Sequence, residues 1–193
     1  SRKENVLKKS LGAKGQQFPQ LVMIVGSYDQ DGVPDAMNAA WATMVSMDEI
    51  ELNLSSHQST ENICGRRAFT VAPATVGTVV ASDYVGLESA RKVPDKAHKS
   101  GLTFTRSANV DAPVIDEFPV TMECEVVSVE GGVDGARIVG KIVNVLADDV
   151  VLDDQGRVDF AKVNPIVYDA ASRVYRAVGE IVGKAWSCGK ALM

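Results

Sequence analysis

Pro119 to Val129 reads PVTMECEVVSV, Ala136 to Leu146 reads ARIVGKIVNVL, and GGVDG, Gly131 to Gly135, stands between them. Two segments alternating with the same period around a glycine-rich turn constrain this chain more than any other feature. Alternation sends one set of side chains to a core face and the other set to the opposite face, so the pairing register is specified. The pair reads as an antiparallel hairpin. The turn also fails as a dinucleotide fingerprint, because its glycines lie between antiparallel strands rather than at the opening of a helix.

Other segments extend the pattern. Leu21 to Tyr28, LVMIVGSY, is short, apolar and β-branched, and Asp29-Gln30-Asp31-Gly32 follows with hairpin turn chemistry. Ala36 to Met47 is the expected return strand, and Ile50 to Ser55 alternates with Ile50, Leu52 and Leu54 on one face. Together they predict an antiparallel meander. Ala68 to Ala72 reads as another strand. The middle third is more helical. Ser59 is placed to cap a short helix through Ile63 that Gly65 ends, and Thr75 to Ser89 has loosely helical spacing. Pro94-Asp95-Lys96 opens a further helix that Gly101 closes, and Asp159 to Asn164 predicts a helical turn before Pro165. Regular strand-helix alternation is absent. Five to seven antiparallel strands with short helical insertions predict a mainly β chain that forms a closed or partly closed barrel.

Size and charge narrow the function. With 193 residues and no linker rich in Pro, Gly or Ser, one domain over 1–193 is expected, residues 1–17 being a flexible or dimer-arm segment. Apolar residues make up 46% and charged residues 23%, the balance of a soluble globular protein. A net charge of −5 argues against broad nucleic-acid or anionic-membrane binding. No apolar run approaches the ~20 residues that cross a bilayer, and the amino end lacks a hydrophobic signal core, so a cytoplasmic address is expected. Cys64, Cys124 and Cys188 are odd in number and lack C-x-x-C pairing, which predicts reduced thiols.

Catalytic groups are scarce. His57 and His98 are the only imidazoles, and neither H-E-x-x-H nor G-x-S-x-G occurs, so a protein-built metal site and Ser-His-Asp hydrolysis are both disfavoured. A bound cofactor can carry the hard chemistry in such a chain. NLSSHQSTENICG, Asn53 to Gly65, supplies a place for one. Four hydroxyls, Ser55, Ser56, Ser59 and Thr60, crowd where a strand hands over to a helix, where free N–H groups and the helix dipole favour a phosphate. Arg91, Lys92 and Lys96 in SARKVPDKAHK are candidate cations. On residues alone, a capped surface helix beside a solvated charge run is the favoured reading of the same segments, ahead of a phosphate site.

Taken together, the order of GSYDQDGVPDAMNAAWATMVSMDEIELNLSSHQSTENI, FTVAP, ASDYVGLESARKVPDKAHKSGLTF and APVIDEFPVTMECEVV resembles the flavin reductase-like family, which includes the flavoredoxins. The resemblance spans about Phe18 to Leu146, with a weaker echo at NPIVYDAASRVYRAVGE. It implies an antiparallel Greek-key split β-barrel that binds FMN. By this resemblance Asn38, Ala39, Ala40 and Trp41 stand where the family touches the isoalloxazine ring. Ser55, Ser56, His57, Ser59, Thr60 and Asn62 stand where it binds the ribityl phosphate, and Lys96 matches its DKF lysine. Val71-Ala72-Pro73, Val85, Ala90 and Ala97 depart from the family's pattern.

The implied activity is transfer of hydride or electrons through noncovalent FMN, with NADH or NADPH as donor and an unspecified redox partner. No side chain is required as acid or base, and His57 reads as a polar lining residue or phosphate neighbour. A flavoredoxin-like carrier without its own NAD(P)H oxidation and a flavinless binding barrel are the alternatives. A homodimer with flavin near its interface is also implied. Trp41 serves equally as core residue or flavin contact, whereas Tyr168 and Tyr175 read first as core or interface packing residues and only second as a cover over the ring.

Overall fold

The computed structural model describes residues 7–15 and 18–193. In chain order its elements begin with β1 (Gln20–Leu21), β2 (Met23–Tyr28), β3 (Pro34–Ala39), β4 (Ala42–Met44), β5 (Glu49–Ser55), α1 (Gln58–Arg66) and β6 (Ala68–Pro73). There follow α2 (Val79–Leu87), α3 (Lys96–Lys99), β7 (Phe104–Arg106) and β8 (Pro113–Ile115). The chain continues through β9 (Val120–Gly132), β10 (Gly135–Ala147), α4 (Phe160–Val163), β11 (Ile166–Asp169) and β12 (Val174–Ala177). The reading of residues 1–17 as an arm falls partly outside the described residues.

Seven strands form one antiparallel sheet in the order β3-β2-β6-β9-β10-β5-β4, so the chain is mainly β, as predicted. The β9–β10 hairpin is its spine, paired from Gly132↔Gly135 to Val120↔Ala147. Its turn is tighter than the five residues of GGVDG. Gly131 and Gly135 belong to the strands, with φ of 95° and 154°, and only Val133-Asp134 turns. Gly140 sits at a register shift, and a Cβ there would lie 2.4 Å from Cζ of the fully buried Phe69. The missing side chain makes room for the largest buried ring.

The predicted return strand over Ala36–Met47 and the three-stranded meander are corrected. The strand breaks at Ala40-Trp41, and its halves lie on opposite edges of the sheet: β3 pairs with β2, whereas β4 pairs with β5. A strand cannot continue in register across two edges that face each other, so the chain steps over the gap between them. The Trp41 carbonyl accepts from Asn53 N at 2.8 Å, which ties the step to β5. This gap is the split of the barrel, and the fold is an antiparallel Greek-key split barrel with short helical insertions.

Burial explains why the strands read differently. Ile50, Leu52 and Leu54 point inward from β5 and join Met23, Val25, Phe69, Val71 and Ile138 in the barrel core. β2 is buried along its whole length because its other face is covered too. Ile24 packs there with Ala72, Val85, Leu102, Phe118 and Ile166. A strand buried on both faces shows a continuous apolar run rather than alternation. Two small sheets, β1-β11-β12 and β7-β8, were not foreseen as such, since two- and three-residue strands carry too little pattern to read.

Candidate functional site

The hydroxyl-rich segment divides at His57. Helix α1 runs from Gln58 to Arg66 and is closed by Arg67 in the left-handed region, φ 58°, so the predicted cap at Ser59 and stop at Gly65 are both displaced. The cap position falls on His57, whose side chain makes no capping bond. The first-turn N–H groups of Gln58 and Ser59 thus lack an intrahelical partner.

C-terminal to His57 the polar side chains turn inward. Ser59 Oγ donates to Asp35 Oδ2 at 2.8 Å, and Thr60 Oγ1 donates to the Ser55 carbonyl at 2.7 Å. Asn62 Nδ2 donates to Ser27 Oγ at 3.1 Å, and Gln58 Nε2 donates to Asn62 Oδ1 at 2.9 Å. Ser59, Thr60 and Asn62 are buried and tie α1 to β2, β3 and the end of β5. N-terminal to Gln58, Ser55, Ser56 and His57 are exposed.

The cations divide in the same way. Lys96 is only 3% exposed, and its Nζ stands 3.1 Å from Asp35 Oδ1. That contact is an ion pair without the directional geometry of a hydrogen bond, since Oδ1 is otherwise unpartnered. Arg91 instead reaches the exposed loop, donating from Nη1 to Ser56 Oγ at 3.2 Å and pairing through Nη2 with Glu61. Lys96 and Arg91 are thus each matched by a carboxylate, whereas Lys92, the third candidate, is exposed and makes no ion pair among the described residues.

Two cavities meet at Asn38 and Gly86. The smaller, about 120 Å³, is lined by His57, Gln58, Ser59, Asp35, Lys96 and Ala90 among others. The larger, about 380 Å³, is bordered by Asn38, Ala39, Ala40, Asp83, Tyr168 and Tyr175. Gly86 lets α2 press onto β3: a Cβ there would lie 2.9 Å from Asn38 Cβ. Asn38 is held by a bond from Nδ2 to the Ser82 carbonyl at 3.3 Å. At the far wall Tyr175 OH donates to Asp83 Oδ1 at 2.7 Å, and burial together with the Asp83 carboxylate pushes the Tyr175 hydroxyl up to about 12. Its ring centroid lies 5.9 Å from that of Tyr168.

Of the expected ring neighbours, Asn38, Ala39 and Ala40 border the larger cavity, whereas Trp41 does not. Trp41 is 48% exposed, so it is not a core residue, and it lines a separate apolar groove beside Phe18, Leu21 and Met44. Asp35, Asp83 and Gly86 went unread in the sequence. Asp35 sits within DQDGVPDAMNAAW but looks like a turn residue, and nothing local pairs Asp83 with a tyrosine 92 residues away.

The residues suit a flavin nucleotide. The small cavity offers uncapped N–H groups, hydroxyls and two nearby cations for a phosphate, and the large one has a volume within the range of ligand sites.

Comparisons with known proteins agree with this geometry. The family profile described as "Flavin reductase like domain" matches residues 15–175. No curated protein matches the chain. Among solved structures, the flavoredoxin of Desulfovibrio vulgaris (Miyazaki F) superimposes with a TM-score of 0.89 at 35% identity, covering 95% of this chain and 100% of that one. A flavoredoxin from Methanosarcina acetivorans gives 0.86 at 25% identity, over 96% and 100% of the two chains. An FMN-binding domain of a flavin reductases-like enzyme from Shewanella baltica OS155 gives 0.72 at 20% identity, over 85% and 88%, a likeness of fold alone. On the profile match and the match at 35% identity, the chain belongs to the flavin reductase-like family.

Proposed function

We propose that this protein is an FMN flavoprotein that passes hydride or electrons through a noncovalently held flavin. The observation that carries the reading is the pair of joined cavities, polar and cationic at the start of α1, wider and bounded by backbone at Asn38 to Ala40. In this reading Ser55, Ser56, His57 and Arg91 meet the phosphate from solvent. The N–H groups of Gln58 and Ser59 meet it from the helix, and Lys96 lies beneath. Thr60 and Asn62 act indirectly, by fixing α1 against the barrel. Asn38, Ala39 and Ala40 border the ring, Tyr168 and Tyr175 close its far side, and Trp41 stands outside the cavity along the split.

The flavin, once bound, supplies the two-electron chemistry, with NADH or NADPH as the donor to be tested. The chain's own residues bind, orient and exclude water; none is placed as a general acid or base. Because Lys96 and Arg91 each face a carboxylate, the phosphate would be met by neutral donors more than by net charge. That arrangement also supports a second reading, in which flavin is exchanged as a substrate rather than kept.

A homodimer with flavin near its interface belongs to the same proposal, supported by exposed Phe18, Leu21, Trp41 and Met44 around a groove of about 640 Å³. A cytoplasmic address is supported by the unlinked Cys64, Cys124 and Cys188. The test is an absorption spectrum of freshly purified protein, then titration of apoprotein with FMN and FAD, then anaerobic mixing with NADH and NADPH. Flavin bands with FMN preferred are expected. A colourless protein that takes up neither flavin would sink the reading. Rapid bleaching by a nicotinamide cofactor identifies a reductase, and its absence a carrier.

A further inference from the structure

Arg66, the last residue of α1, stands at the end of the helix remote from His57. A cavity of about 560 Å³ opens there, lined by Arg66, Arg67, Arg106, Ser107, Asn109 and Asp111 among others. It shares no lining residue with the two cavities of the proposed flavin site.

Surface arginines ordinarily sample many rotamers, and ordering them opposes binding. These three are already held. Arg66 donates from Nε and Nη2 to the Asp29 carbonyl at 3.0 and 2.6 Å, and from Nη2 to the Gln30 carbonyl at 3.0 Å. Its Nη1 donates to Asp111 Oδ2 at 3.0 Å. Arg67 donates from Nη2 to the Val126 carbonyl at 3.1 Å. Arg106 donates from Nη2 to Asp111 Oδ1 at 3.1 Å, and its Cζ lies 6.0 Å from the centroid of the Tyr28 ring. The loop between β7 and β8, which supplies Ser107, Asn109 and Asp111, is fixed as well. Ser107 Oγ accepts from the N–H groups of Asn109 and Val110, and the side chains of Ser107 and Asn109 both donate to the buried Glu123.

Positive charge is left over. Asp111 serves two guanidiniums, one with each oxygen, and Glu125, the other acid of the cavity, is exposed and forms no ion pair among the described residues. Three guanidiniums therefore meet two carboxylates, in a chain whose net charge is −5. Among the described residues, Nε and Nη1 of Arg67 and of Arg106 donate to no protein group. A planar N–H pair of this kind matches the oxygens of a phosphate. The volume is that of a small-molecule site, and the polar lining suits a polar ligand.

We propose that this cavity binds a small ligand bearing a phosphate or pyrophosphate group, its oxygens met by the unpartnered edges of Arg67 and Arg106. Arg66 and Asp111 hold the elements that carry those edges in register. Nothing in this assignment depends on the flavin reading.

The test is isothermal titration of the full-length protein, as purified, with inorganic pyrophosphate at low salt. Binding that weakens as salt is added is expected. Arg106→Ala and Arg67→Asn should each raise the dissociation constant about tenfold, the scale of one charge-assisted pair. Asparagine is chosen at Arg67 because it tolerates the left-handed φ of 58° found there. Glu125→Gln removes a repelling charge and no anchor, so it should tighten binding several-fold, and it decides the matter if an arginine variant melts early. Binding should survive Arg91→Ala. Its complete loss in that variant would place the pyrophosphate at the start of α1 and overturn the proposal. Affinity that Arg106→Ala, Arg67→Asn and Glu125→Gln all leave unaltered, or that is no better than for sulfate at equal ionic strength, would mean an adventitious ion only and would overturn it too. FMN titrations of Arg106→Ala and Arg67→Asn should match that of the native chain, so failure of either reading leaves the other standing.

Discussion

Residues 55–57, Ser-Ser-His, and residues 59–62, Ser-Thr-Glu-Asn, are both polar and hydroxyl-bearing and do opposite work. Ser59, Thr60 and Asn62 are buried and spend their hydrogen bonds on Asp35, the Ser55 carbonyl and Ser27. Ser55, Ser56 and His57 face solvent, with Arg91 reaching the loop at Ser56. The difference teaches that a polar motif at a strand-helix junction has two layers. The inner layer holds the helix start in place, because a buried polar group left unpaired is costly. Only the outer layer keeps donors free for a ligand. Lys96 and Arg91 repeat the division among the cations.

The largest effect should come from the inner layer. Lys96→Met leaves the buried Asp35 carboxylate without its cation and is expected to cost about 3–5 kcal/mol in urea unfolding. A loss no larger than that of an exposed lysine would erase the distinction between the two layers.

Glu123 extends the comparison to a carboxylate outside the site. It is wholly buried and accepts from Asn109 Nδ2 at 2.8 Å, Asn144 Nδ2 at 2.6 Å and Ser107 Oγ. Burial pushes its carboxyl up, but the bonds from Ser107, Asn144 and Asn109 outweigh that and hold it below its ordinary value of 4.5. Its stabilisation is therefore fully present above that value and lost as pH falls through the lower folded one. Glu123→Gln should cost about 1.5–3 kcal/mol at pH 7. The gap to wild type should close on acidification below the ordinary value, and a pH-independent gap would refute the charged assignment.

Thr60→Val, which removes the donor to the Ser55 carbonyl, should cost about 1 kcal/mol and weaken FMN only through a loosened α1. Arg91→Ala marks the other extreme. The guanidinium is solvated, so stability should move by less than about 0.5 kcal/mol. FMN affinity should fall by about tenfold in a fluorescence titration, because a charge-assisted bond to phosphate is lost. If Arg91→Ala unfolded the protein while leaving affinity intact, the outer layer would be structural after all.

Much of the barrel was legible because strand pairing writes itself into alternation. PVTMECEVVSV and ARIVGKIVNVL predicted β9 and β10, and Ile50, Leu52 and Leu54 predicted the inward face of β5. The break at Ala40-Trp41 was not legible, since AMNAAWATMVSM has strand character throughout and only the curl of the sheet places its halves on opposite edges. The cap was misread for a related reason: Ser59 has the right side chain for that position, but Asp35, 24 residues earlier, claims its hydroxyl.

The sequence by itself determined the mainly β, antiparallel architecture, the family and the segment that gathers hydroxyls beside a helix start, because these rest on local period, turn chemistry and residue order. Tertiary structure alone decided which of those hydroxyls remain free, that Lys96 is locked to Asp35 while Arg91 reaches the loop, and that Trp41 opens onto a groove. Those outcomes depend on burial and on partners tens of residues apart, and no local pattern encodes either.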